Sequence, residues 1–86
     1  MQWRVGVLRS GAENIAWTSG GDGAGWDGAR AETLAALRVL VAAEGRQEYR
    51  LEIDGQPGIV TPGLDVDGRV CLGGLDRAVP ARQYWS

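Results

Sequence analysis

Residues 29–45, ARAETLAALRVLVAAEG, followed by residues 47–53, QEYRLEI, carry the pattern that decides the fold. Nearly every residue of the first segment is a good helix former, and Gly45 supplies a stop because glycine takes the left-handed conformation that ends helices. Leu34, Leu37 and Val41 recur at helical spacing and form an apolar stripe suited to face a sheet. In the second segment the period changes to two. Tyr49, Leu51 and Ile53 fall on one side and Arg50 and Glu52 on the other, which predicts a half-buried strand. Asp27 is the expected N-cap, since its short carboxylate can accept a free backbone N–H at a helix start.

Working outward, Trp3, Val5 and Val7 alternate with Arg4, Gly6 and Leu8, which predicts a first strand with one apolar face. Turn chemistry follows at Ser10-Gly11-Ala12-Glu13-Asn14. Ile15 and Trp17 then point one way in a second strand that ends near Thr18, so the pair reads as a β-hairpin. Residues 19–28, SGGDGAGWDG, are half glycine and are expected to form an irregular connection containing Trp26, because glycine is entropically costly to hold in regular structure. Beyond Ile53, Asp54-Gly55 and Pro57-Gly58 are turn signals, and Ile59 and Val60 suit a short strand. Asp67-Gly68 is a hairpin turn between residues 64–66 and 69–72. The expected architecture is α+β: one domain, residues 1–86, with an antiparallel sheet and one long helix packed on one face. The order is β-β-α-β followed by one or two short hairpins. Its predicted core is Val5, Val7, Trp17, Leu34, Leu37, Val41, Leu51 and Ile53.

Composition excludes several chemistries. The chain has no histidine, so catalysis by Ser-His-Asp or Cys-His arrangements is ruled out, as are zinc sites built from histidine and paired cysteine. Its 9 basic residues, all arginine, and 11 acidic ones are scattered and leave a formal charge of −2. No basic block tracks phosphates, which disfavours nucleic-acid binding. No run approaches the roughly 20 apolar residues of a membrane span, and the first residues lack the pattern of a signal peptide. A lone Cys71 cannot make an internal disulfide and fits a reducing compartment, so a cytoplasmic location is expected. No cofactor or metal is expected.

The glycine-rich stretch before the helix lacks the Lys-Ser/Thr ending of a P-loop, and Asp22 and Asp27 would repel a phosphate. Asp65-Val66-Asp67-Gly68 resembles the opening of a calcium loop, but Arg69, Val70, Cys71 and Leu72 replace the ligands that should follow, so it reads as a turn. Ala29-Arg30-Ala31-Glu32-Thr33-Leu34-Ala35-Ala36-Leu37 and Leu51-Glu52-Ile53-Asp54-Gly55-Gln56 resemble the helix start and strand end of the ribonuclease H family. The resemblance covers residues 2 to about 60. It implies Glu32 and Asp54 as two of the four acids that hold paired divalent ions for in-line phosphoryl displacement. The strand carrying the first acid and the elements carrying the last have no counterpart in this sequence. Antitoxins with a partial ribonuclease H fold, which use the β-β-α-β core only for binding, fit the length better. Gly73-Gly74 after an apparent final strand also resembles ubiquitin-type β-grasp modifiers, which implies a carrier role once the residues beyond it are removed.

The expected function is therefore non-catalytic protein binding, as a small accessory, regulatory or immunity-type subunit. A degenerate ribonuclease H-like phosphoryl-transfer domain and a β-grasp carrier are the alternatives. The partner is another protein or a second copy, with a homodimer expected. Candidate interface residues are Trp26, Ala36, Val39, Ala43, Tyr84 and Trp85: a small-residue helix stripe with Glu32 in line, and aromatic residues placed outside the core. Tyr84 and Trp85 suit equally a tail that folds back to cap the core.

Overall fold

The computed structural model describes residues 1–63, 66–68, 75 and 79. In chain order it contains β1 (Gln2–Leu8), β2 (Ala16–Asp22), α1 (Gly25–Glu44), β3 (Glu48–Ile53) and β4 (Gln56–Val60). The strands form one antiparallel sheet in the order β2-β1-β3-β4. This is the expected α+β arrangement, with β4 returning on β3 as the first of the short hairpins. No helix among the described residues is long and apolar enough to cross a membrane.

The two hairpins close by the expected turn chemistry. Gly11 has φ 82°, and the Ala12 N–H donates to the Arg9 carbonyl at 2.9 Å. Asp54 and Gly55 have φ 52° and 78°, two successive left-handed residues, as a tight hairpin turn requires. Pro57-Gly58, expected as a further turn, instead lies within β4. The proline fits because β4 is the last strand of the sheet among the described residues, where a missing N–H need not break the ladder. Asp67 and Gly68 do form a turn. The strands proposed on either side of it, and Gly73-Gly74, lie outside the described residues.

β1 and β3 supply the sheet's buried face. Val5 pairs with Leu51, Val7 with Tyr49 and Trp3 with Ile53, and all of these except half-buried Trp3 are sealed from solvent. Against them α1 lays Leu34, Leu37, Leu40 and Val41. Leu75 and Val79 complete the same core, and the Arg30 Nε donates to the Val79 carbonyl at 3.1 Å. Thr33 is the one buried polar side chain among the described residues, and its hydroxyl donates to the Ala29 carbonyl at 2.7 Å.

The helix begins two residues before Asp27. Its N-cap is Ala24, with an extended backbone and no side-chain capping bond. Asp27 therefore lies in the first turn, where a carboxylate still meets the positive end of the helix dipole. The early start has a packing cause. A Cβ on Gly23 would stand 2.4 Å from the Ala29 nitrogen and 2.5 Å from its Cα, so the first turn rests directly on the backbone that leaves β2. Trp26 accordingly sits in that first turn, half-buried against the core, and not in an open glycine loop. At the other end Gly45, φ 77°, returns its N–H to the Val41 carbonyl at 2.8 Å. There Arg9 grips Glu44 through two bonds of 2.9 and 3.1 Å, and this hydrogen bonding holds the Glu44 carboxyl below the usual carboxylate range.

Two expectations follow. Leu37 is fully buried, so Leu37→Ala removes core atoms and leaves a cavity, costing about 2–5 kcal/mol in a denaturant titration; a midpoint shared with the parent would show that Leu37 does not anchor the helix. Tyr49 is fully buried and its hydroxyl donates to the Gly45 carbonyl. Burial, with a smaller contribution from Glu44, raises its pKa above 10.0. The unfolded chain thus ionises this phenol first, so the stability Tyr49 provides is present below pH of about 10 and declines as pH climbs toward the raised folded value. Tyr49→Phe should lose about 0.5–1.5 kcal/mol at neutral pH and show a shallower alkaline decline, checked by urea titrations across that range.

Candidate functional site

Among the described residues β2 is paired on one side only, and its sequence explains both its reach and its bareness. The strand was expected to end near Thr18, yet it continues through Ser19, Gly20, Gly21 and Asp22. Pairing with β1 and packing by Trp3 override the low strand propensity of glycine. A Cβ on Gly21 would stand 3.0 Å from the Trp3 Nε1, so the indole lies flat along a strand segment that has no side chain in its way. At the far end of the strand the Met1 ammonium meets Asp22 Oδ1 at 2.5 Å.

A bulge decides where Trp17 goes. Ser19 pairs with Val5, but the register then shifts, and Trp17, not Thr18, faces Gly6. Without that extra residue Trp17 would pair with Val7 and point into the core, as expected from its apolar character. One inserted residue turns it to the opposite face. Trp17 is 36% exposed, and the Arg4 guanidinium lies over its ring at 3.7 Å. Arg4 also binds Glu52 at 2.9 and 3.2 Å, and Arg50 binds Glu48 at 2.9 and 2.5 Å. Among the described residues, the sheet face away from α1 thus pairs opposed charges beside one tryptophan.

The other flank of β2 is apolar. Thr18 and Ser19 face Ala36, Val39, Leu40 and Ala43 of α1 across a shallow groove of about 320 Å³. Val39 is 72% exposed, Ala43 is exposed, and Ala36 is half-buried against the core. Three of the expected interface residues are therefore brought together beside β2. Trp26 is packed into the fold. Tyr84 and Trp85 lie outside the described residues.

The two carboxylates singled out in the sequence lie toward the start of β1. Glu32 Oε2 lies 2.7 Å from where a Cβ on Gly23 would stand, and the Asp54 N–H donates to the Gln2 carbonyl at 2.7 Å. Among the described residues no three Asp, Glu, His or Cys side chains gather where they could hold a metal ion. Neither the strand extension nor the bulge was visible in the sequence, although Gly20-Gly21 opposite Trp3 is the signal that could have suggested a long, bare edge.

No protein-family model matches the chain, and neither a curated protein nor a solved structure matches it.

Gly6 is where this site can be tested without touching its rim. A Cβ there would meet the Ala16 carbonyl at 2.7 Å, Ile15 Cγ2 at 2.9 Å and Trp17 Cε3 at 3.0 Å. Gly6→Ala should destabilise the protein by about 1–3 kcal/mol through overpacking and displace Trp17 from Arg4. Thermal melts and the change in near-ultraviolet circular dichroism check it; an unchanged melt would mean that β1 and β2 are less closely apposed at Gly6 than these distances indicate.

Proposed function

We propose that this chain is a non-catalytic protein-binding module, a small accessory or regulatory subunit of the cytoplasm that engages its partner through the β2 side of the molecule. The observation that carries this reading is the juxtaposition of a strand edge unpaired among the described residues with an exposed apolar helix flank centred on Val39. A strand edge offers main-chain donors and acceptors to an incoming chain, and an apolar flank beside it offers area to bury. The residues lining the groove, Ala36, Val39, Leu40 and Ala43 with the facing Thr18 and Ser19, carry no charge. Such a surface suits contact with protein better than with phosphate or a charged metabolite. The single cysteine and the absence of histidine support a binding role over redox or nucleophilic chemistry.

The test is association by the intact chain, measured for the parent and for Val39→Asp, alongside a nuclease assay. The parent should retain a protein partner, itself or another chain, that can be identified and reconstituted from purified components. Val39→Asp should weaken that complex about tenfold or more, a loss of roughly 1.4 kcal/mol, while its melting curve stays with the parent's. Hydrolysis of RNA–DNA hybrids with magnesium or manganese should be absent. Metal-dependent cleavage lost in both Glu32→Gln and Asp54→Asn would replace the binding reading with the ribonuclease H-like one.

A further inference from the structure

Building on that binding role, we infer that the partner at β2 is a second copy of the same chain, joined edge to edge so that two four-stranded sheets become one. The direction of the unpaired main-chain groups follows from the ladder. Met1 and Gly23 exchange bonds: the Gly23 N–H donates to the Met1 carbonyl at 2.9 Å, and the Met1 amine donates to the Gly23 carbonyl at 2.9 Å. In an antiparallel pair, bonded and non-bonded residue pairs alternate. Stepping along the register from there, Gln2 and Asp22 do not bond, Trp3 and Gly21 do, and Arg4 and Gly20 do not. The Asp54 N–H reaching the Gln2 carbonyl from the other side agrees, because it shows Gln2 turned toward β3. Asp22 and Gly20 therefore direct their N–H and C=O groups to the edge of β2 that no described strand covers.

That edge carries few of the devices that discourage pairing. It has no proline and no cationic side chain, and Gly20 and Gly21 add no bulk; the exposed carboxylate of Asp22 and the bulge near Thr18 are the devices it does carry. The opposite edge, β4, contains Pro57. A two-fold axis through facing Gly20 residues lets each copy give and receive the same two bonds, the self-complementarity that an isologous interface demands. In this register Asp22 of one copy falls opposite Thr18 of the other, so like charges do not meet. The uncharged flank of Ala36, Val39 and Ala43 selects no acidic or basic peptide. The two flanks come nearest each other at the axis, near Ala36, where both are apolar.

Amide hydrogen exchange and sedimentation of the parent at increasing concentration test this directly. The expected result is a monomer–dimer equilibrium in which the Gly20 and Asp22 amides, fast-exchanging in the monomer, slow at least tenfold as dimer accumulates. Val39→Asp should shift the equilibrium to monomer, and Ser19→Lys, placed on the exposed strand, should do the same if the first variant folds poorly. A dimer whose formation leaves Gly20 and Asp22 unprotected overturns the edge-to-edge assembly but leaves the module a binder by another surface. A parent that stays monomeric at every concentration also overturns it. In that case the binding role stands or falls separately, on reconstitution with a different protein.

Discussion

At Gly23 the backbone of the departing strand and the backbone of the arriving helix touch with no side chain between them. A Cβ would come within 2.4 Å of the Ala29 nitrogen, a distance no real side chain tolerates. The contact fixes the height and rotation of α1 above the sheet. With Ala29 held against Gly23, helical periodicity carries Thr33, Leu37 and Val41 inward, along with Leu34 and Leu40. The same rotation leaves Val39 and Ala43 outside. The buried core and the exposed flank are thus two results of one close approach, and the apolar surface beside β2 is set by where the helix is seated.

Where side-chain pattern and main-chain pairing agreed, the sequence was readable. The α1 stripe and the β3 alternation are strong because many residues vote together, and Asp54-Gly55 is strong because only certain residues adopt its backbone. Three features escaped. Gly20 and Gly21 carry no strand preference of their own and are ordered by β1 and the Trp3 indole, a contact distant in sequence. The bulge at Thr18 adds one residue that no local pattern marks, and it reverses the face of Trp17. The helix start moved because a tertiary contact at Gly23 outweighed the capping preference of Asp27. The candidate site was half legible: Ala36, Val39 and Ala43 were visible as a stripe, but the strand edge that gives them context was not.

The sheet's two faces divide the chemistry of the chain. One face is covered by α1 and is almost wholly apolar. The other holds Arg4, Glu52, Arg50 and Glu48 in neighbouring ion pairs, partly open to solvent and individually worth little to stability. Their effect lies in neutralising one another on a sheet face that no described element covers. Arg4 links this lattice to Trp17 and shields part of an aromatic ring that would otherwise stand open.

The position of β1 between β2 and β3 has a kinetic consequence. The β3–β4 hairpin is closed by the tight Asp54-Gly55 turn and the β1–β2 hairpin by the longer loop 9–15, and isolated hairpins form in roughly 1–10 μs. Their union requires β1 to meet β3 across the whole intervening helix, with Leu8 reaching Glu48 and Trp3 reaching Ile53. Such non-local closure costs chain entropy before any contact repays it. The slow event in folding is therefore the docking of two preformed ribbons beneath α1. Until it occurs, both long edges of β1 and β3 that will meet in the finished sheet lie open to any passing strand.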